Sequence, residues 1–446
     1  MSMFRTYRRG AAVGLGVTGL VAAQLAIFGS TAQAAAPGSV WIEGSTLRMQ
    51  AAPGQVNSVL VAPNGGTVRV TDFAGNLAAQ FPCVPVSAHL VDCPAGSIAS
   101  FIVDTNDLGD VVRNTTALPG RILTGAGNDS VSDGPGNQLV LLGTGNDFAL
   151  VGTGRDVVSG SSGIDGASYA NRAAAVVVAL DNNANDGQSG EQDNVLNDVE
   201  NITGGNGGDL LLGSAANNVI SGLGGNDTIG AGNGNDFVDG GFGADNMFGG
   251  NGTDTVNYAS RTAAVSVRLD NAANDGQSGE GDNARSDLET INGGAGNDLL
   301  IGSAANNLIR GLGGNDTISA AGGNDFVDGG FGRDLMFGGS GIDTTSYAGR
   351  TASVVVRLDN SANDGQSGEQ DNVVSDIENV IGGNANDLLI GSNATNVLSG
   401  LNGNDSLFGL GGNNDLLFGG NGTDFGSGGA GTGDKCFTEN HDASCE

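Results

Sequence analysis

The sequence predicts an all-β chain built as a solenoid, a stack of short strands joined by tight turns. Three observations predict it: a nine-residue period through most of 124–432, glycines at fixed places in that period, and one place that is apolar in nearly every unit. From Gly204 to Asn257 the units read GGNGGDLLL, GSAANNVIS, GLGGNDTIG, AGNGNDFVD, GGFGADNMF and GGNGTDTVN. The eighth place is Leu211, Ile220, Ile229, Val238, Met247 and Val256, and the sixth is Asp209, Asn218, Asp227, Asp236, Asp245 and Asp254. About six residues of each unit therefore form a Gly-rich turn ending in a carboxylate, and three form a short apolar strand. A disordered linker does not hold such a register. A unit this small cannot bury its apolar face alone, so the units must stack.

Composition agrees with this reading. Among 446 residues there are 81 glycines and only 5% aromatics, which describes many tight turns and little bulky core. With 49 acidic against 17 basic residues the formal net charge is −32, which excludes charge-driven binding to nucleic acid or to an anionic membrane surface. The same excess repels itself, so bound cations should govern folding. Residues 1–34 read as a cleavable export signal: a basic head (Arg5, Arg8, Arg9), an apolar stretch from Ala11 to Phe28, and Ala32-Gln33-Ala34 as a small-residue cleavage site. Glycines at 14, 16 and 19 and the cleavage site argue against a retained anchor, and no later segment is apolar enough to span a bilayer.

Along the chain, residues 35–121 alternate β-prone runs (Val40–Ile42, Ser58–Val61, Thr67–Val70) with Gly- and Pro-containing turns, and form an N-terminal β cap over the open end of the stack. A strand is expected at Val86–Val91. The first roll, 122–168, holds five nonapeptides from Thr124, whose sixth places are Asp129, Gln138, Asp147, Asp156 and Asp165; Gln138 predicts a vacant or weak site. Tyr169, Tyr258 and Tyr347 then open three near-copies, 169–257, 258–346 and 347–432, at an interval of 89 residues. Each begins with a 35-residue segment, followed by six nonapeptides in the first two copies. A one-residue slip at Gly411–Asn414 suggests that the roll ends there, and 433–446 form a C-terminal cap. The four cysteines fall in two local pairs, Cys83 with Cys93 and Cys436 with Cys445. In an exported chain these read as two disulfides, and the spacing does not suit zinc.

The repeated carboxylates point to a hard cation. A bent turn directs carbonyl oxygens inward, and oxygen-rich flexible rings suit Ca²⁺, which takes six to eight oxygen ligands; softer metals would want His or Cys. The motif GGxGxDxUx resembles the haemolysin-type (RTX) calcium-binding repeat. The resemblance implies a right-handed parallel β-roll with two nonapeptides per coil and multiple Ca²⁺ ions, each between turns two units apart. The implied metal ligands are Asp129, Asp147, Asp156 and Asp165 in the first roll, and Asp209, Asp227, Asp236, Asp245 and Asp254 in the first copy. The second copy offers Asp298, Asp316, Asp325, Asp334 and Asp343, and the third Asp387, Asp405, Asp415 and Asp424. Asn218, Asn307 and Asn396 mark the same weak position each time.

The 35-residue segments are harder to read. Each has an alternating strand (Val176, Val178 and Leu180 in the first), a polar DGQSGE loop and a second short strand; by resemblance they continue the solenoid as wider coils. The loop fails as an EF-hand, because Asp186 stands where the glycine belongs and Gln192 where the glutamate belongs. A solvated polar turn is the preferred reading, ahead of a local metal site at Asp186, Glu191 and Asp193. Arg172, Arg261 and Arg350, at one phase after the tyrosines, are expected to pair with nearby carboxylates. No catalytic residue is assigned: His89 and His441 stand apart, and neither HExxH nor GxSxG occurs. The expected function is that of a secreted, non-catalytic calcium-binding protein whose roll folds on Ca²⁺, in a structural or surface-interaction role. A glycan-binding adhesin is the alternative, and a small secreted enzyme housed in 35–121 the third reading. Calcium is the expected partner, with no nucleic acid and no stable membrane insertion.

Overall fold

The computed structural model describes residues 37–445; the export signal expected at 1–34 lies outside them. The architecture is a parallel β-roll whose strands are mostly three residues long. In the nonapeptide runs the pairing advances by eighteen residues, as in Leu211↔Ile229 and Ile220↔Val238, so two units make one coil, with one strand on each of two faces. Most three-residue strands bury only the middle side chain. Ile220, Ile229, Val238, Met247 and Val256 are fully buried, while their neighbours at the seventh and ninth places keep some exposure. The core is therefore a double file of aliphatic side chains running along the axis. Placing aliphatics at one phase of nine is the sequence device that makes it.

The cap is continuous with this stack. Gly38–Glu43 and Thr46–Gln50 form an antiparallel hairpin, and Thr46–Gln50 pairs in parallel with Ser100–Asp104, which pairs with Gly120–Ala126 of the first roll. On the other face Ser58–Asn64 pairs with Val111–Asn114, and that strand with Ser130–Ser132. The strand expected at 86–91 is instead two, Val84–Ser87 and Leu90–Pro94, folded back on each other around Ala88-His89. The Cys83–Cys93 disulfide closes this hairpin, and Cys436–Cys445 closes the tail.

Each 35-residue segment makes one wide coil. On one face the stack continues through it in parallel, Ala167↔Ile202 and then Ile202↔Ile220. On the other, Asn194–Val195 finishes the preceding block by pairing with Val157–Ser162, and Val176–Ala179 opens the next by pairing with Leu210–Leu212. The DGQSGE loop folds Gly187–Gln188 back antiparallel onto Val176–Ala179. One face is thus unbroken, while the other is divided into blocks at every segment. The slip at 411–414 does not end the roll. Stacking absorbs it as a step of nineteen, Leu398↔Leu417, and continues into the tail strands Lys435–Phe437 and Asn440–His441.

Candidate metal centre

The sixth-place side chains form two ladders along the turns. In each, the backbone N–H of one sixth-place residue donates to Oδ1 of the sixth-place aspartate one coil later: Asp209 to Asp227 at 2.7 Å, Asp227 to Asp245 at 2.8 Å, and Asp236 to Asp254 at 2.8 Å. The same bond links Asp129 to Asp147, Asp147 to Asp165, Asp298 to Asp316, Asp316 to Asp334, Asp325 to Asp343, Asp387 to Asp405 and Asp405 to Asp424. Gln138 and the asparagines keep their places by donating to Asp156, Asp236, Asp325 and Asp415.

This leaves the second carboxylate oxygen. Fifteen of the eighteen aspartates implied by the repeat hold Oδ2 buried with no hydrogen-bond partner in the described residues; Asp209, Asp298 and Asp387 are the exceptions. In these three, Oδ2 accepts the N–H of Gly205, Gly294 or Gly383, and Oδ1 that of Val176, Val265 or Val354, so the backbone saturates both oxygens. Buried acceptors without partners are rare because each forfeits its hydration for nothing. Here they recur once per turn. The first-place glycine leaves room for them: a Cβ on Gly222 would collide with Asp227 Oδ2 and with the Gly240 carbonyl oxygen of the next coil. A carboxylate oxygen and a backbone carbonyl, both without a proton donor between them, are the donor set of a hard cation. In the first roll the first place holds Thr124, Leu142 and Val151 instead of glycine.

Burial also moves the acidity. It pushes Asp245 and Asp334 up to about 8, with neighbouring carboxylates adding to the shift, and Asp227 and Asp316 up to about 7; backbone hydrogen bonds oppose it in each. Asp147, Asp165, Asp236, Asp325 and Asp405 rise to about 6 for the same reason. Among the described residues no three acidic, His or Cys side chains converge on one point. The ladder explains this, since each turn contributes a single carboxylate and any ion would draw its other ligands from backbone carbonyls.

Asn218 is self-satisfied: Oδ1 accepts the Ser214 N–H at 2.7 Å and Nδ2 donates to the Glu200 carbonyl at 2.7 Å. Asn307 and Asn396 repeat the arrangement. The weak position thus has no free oxygen to offer.

The DGQSGE loop is solvated only at its tip, Ser189-Gly190, and its carboxylates are taken up by backbone hydrogen bonds. Asp186 and Asp193 are both 1% exposed. Asp186 accepts the N–H groups of Ala179 and Val195. Asp193 accepts the Asp156 N–H at 2.8 Å and the Tyr169 hydroxyl at 3.1 Å. Glu200 accepts the Asp165 N–H at 2.8 Å. Asp193 and Glu200 therefore take the place of the next sixth-place carboxylate and close the ladders of the preceding coils; beyond the segment the ladders start afresh, since Val176 donates to Asp209 Oδ1 and Ser214 to Asn218 Oδ1. Asp282 with Glu289, and Asp371 with Glu378, do the same. Arg172, Arg261 and Arg350 do pair with carboxylates, reaching Glu191, Glu280 and Glu369 at 3.4, 3.3 and 3.0 Å in nearly full burial. Each also donates to the carbonyl of a second-place glycine, Gly152, Gly241 or Gly330. Sequence reasoning missed Asp110 and Asp434, which extend the ladders at the two ends by accepting the N–H of Asn57 and of Asp415. Neither lies in a full nonapeptide, so the motif did not flag them.

A family model of the RTX calcium-binding nonapeptide repeat, in four copies, matches at 121–149, 132–166, 203–238, 224–256, 286–318, 310–345 and 381–416. The chain is an RTX-type repeat protein. RTX repeats bind Ca²⁺ in general, and the ladders show how this one presents its oxygens. The matches fall on the nonapeptide runs and leave out the cap and most of the wide coils. A search of curated proteins found no match. Among the described residues no helix is long and apolar enough to cross a membrane.

Some stacked turns admit only glycine. Gly225 has φ +117°, and a Cβ there would run into the Gly207 carbonyl one coil below. Gly225→Ala is expected to destabilise the folded chain by about 1–3 kcal/mol, as a lower thermal midpoint in millimolar calcium. Gly96→Ala, with nothing within 4 Å, should stay within about 0.5 kcal/mol.

Proposed function

We propose that this calcium-binding repeat protein is secreted, carries no catalytic activity, and folds its roll on Ca²⁺ as a structural or surface-interaction element. The observation that carries the reading is the file of buried carboxylate oxygens without partners. Such a stack is self-repelling until cations enter it, and a ligand that binds only the folded state stabilises that state by mass action. Ions would be held by Asp129, Asp147, Asp156 and Asp165; by Asp227, Asp236, Asp245 and Asp254; by Asp316, Asp325, Asp334 and Asp343; and by Asp405, Asp415 and Asp424, whose second oxygens are free. Calcium would supply the positive charge and the missing coordination, and the chain supplies position through the N–H ladder. Extracellular calcium modules bind at about 10⁻⁴–10⁻³ M, which matches export from a calcium-poor cell interior into a calcium-rich medium. Circular dichroism in chelator and then in millimolar calcium tests this: strand signal should be largely lost in the first and restored in the second. A spectrum indifferent to calcium would sink the reading.

A second reading, glycan binding, rests on one feature. Clefts of about 770 and 570 Å³ open at equivalent places in the first two copies, between the DGQSGE loop and the strand it folds against, at Gln188 and Leu210 and at Gln277 and Leu299. They lie four strand layers apart, roughly 19 Å at about 4.8 Å per layer, a spacing suited to a long polar polymer gripped at several points. Retention on insoluble polysaccharide that is lost on Gln188→Ala with Gln277→Ala would favour it.

A further inference from the structure

Unit 133–141, DGPGNQLVL, exchanges the two ends of the turn: Asp133 stands at the first place where glycine is usual, and Gln138 at the sixth where aspartate is usual. One and two super-repeats later the same places are Gly222 with Asp227 and Gly311 with Asp316. At both glycines a Cβ would press against Oδ2 of the sixth-place aspartate of its own unit and against a carbonyl oxygen of the next coil, Gly240 or Gly329. Asp133 carries that Cβ and a carboxyl beyond it. Its side chain therefore starts from the spot that the missing carboxylate at place 138 would face.

The surroundings are built for charge that they do not neutralise. Asp133 is 8% exposed; Oδ1 accepts the Gly134 N–H at 2.6 Å, and Oδ2 has no partner. Its carboxyl lies within hydrogen-bonding reach of Asp156, a fully buried side chain whose Oδ1 is held by the Gln138 N–H at 2.7 Å and whose Oδ2 is also free. Gln138, 2% exposed, commits Nε2 to the Leu118 carbonyl and leaves Oε1 unpartnered. Arg172, the nearby cation, is engaged by Glu191 and the Gly152 carbonyl. Two stacked turns thus bury three hard oxygens that make no hydrogen bond among the described residues.

We propose that a divalent cation of the calcium class binds here through the free oxygens of Asp133 and Asp156, with the Gln138 side-chain carbonyl as a further ligand. Asp133 takes over from the absent sixth-place carboxylate, so the first roll has no vacancy at Gln138. Asp133 lies outside the sixth-place series, and the site rests on the calcium reading above.

The test counts bound calcium on the full chain by equilibrium dialysis at millimolar calcium with elemental analysis, with circular dichroism as the folding check. Asp133→Gly should lower the count by one ion, and Asp133→Gly with Gln138→Asp, which moves the carboxylate to its usual place, should restore it. If Asp133→Gly does not fold, Asp133→Asn replaces it as the single variant, again with one ion fewer expected. A count unchanged in the single variant overturns the site. So does a loss that the double variant does not restore, because it would assign Asp133 a packing role. A wild-type chain that takes up no calcium overturns the general reading instead, so the two failures are distinguishable.

Discussion

Without calcium, lowering the pH from 8 to 5 is expected to restore strand structure that a chelator has removed. The sign follows from the ladder carboxylates. Burial raises Asp245 and Asp334 to about 8 and Asp227 and Asp316 to about 7, well above the 3.8 of a free side chain. The folded chain therefore holds protons that the unfolded chain has released. Protonation-linked stability is fully present below the unfolded value and is lost as pH rises through about 6 to 8. A proton on Oδ2 also removes the repulsion that calcium otherwise offsets. Protons and calcium thus compete for the same oxygens, and adding calcium to the acid-folded chain should release protons. Circular dichroism across pH in chelator, and a pH-stat record during calcium addition, provide the check. A chain that stays unordered down to pH 5, or that takes up calcium without releasing protons from the acid-folded form, would contradict the account.

Arg261→Ala is expected to open the second wide coil. The guanidinium is 4% exposed and pairs with Glu280, itself 13% exposed, while donating to the Gly241 carbonyl. Removing one partner strands the other as an unpaired buried charge, which costs about 3–5 kcal/mol. Replacing both, as Arg261→Met with Glu280→Gln, should recover most of that, because the desolvation of the pair disappears with it. Gln retains an oxygen to accept the Gln277 N–H that Glu280 now receives at 2.7 Å. Hydrogen exchange over 258–290 in saturating calcium is the appropriate measurement, since the loss is local. Equal exchange in Arg261→Ala and wild type would show that the pair contributes nothing.

How far the sequence could be read depended on how local the interactions are. The eighth-place aliphatics and sixth-place aspartates were legible because one residue in nine meets the same surroundings at every coil, and period alone reports that. The two disulfides were legible from cysteine spacing, and the arginine pairs from their recurrence after each tyrosine. The burial of Asp186 and Asp193 was not. Asp193 is held by a hydroxyl and an N–H that lie 24 and 37 residues away, and a string of polar residues with glycine looks solvated until those partners are placed. The saturation of Asp209, Asp298 and Asp387 was hidden for a similar reason. Their motif is that of their neighbours, but the wide coil before them directs the N–H of Val176, Val265 or Val354 onto each. The recurrence of Asp193 as Asp282 and Asp371 was a usable signal, since it marks a place that the coil geometry requires three times.

The division of one face into blocks beside an unbroken second face also sets how such a chain can change length. Asn257 meets Tyr258 through the same bonds by which Ser346 meets Tyr347: the tyrosine N–H donates to Asn292 O in one and Ile381 O in the other, and the hydroxyls reach Asp282 and Asp371. Excising 258–346 would join two ends that already fit each other, and duplicating the stretch would do likewise. Length is therefore quantised in steps of one super-repeat, so recombination between copies can lengthen or shorten the protein while each joint keeps its register.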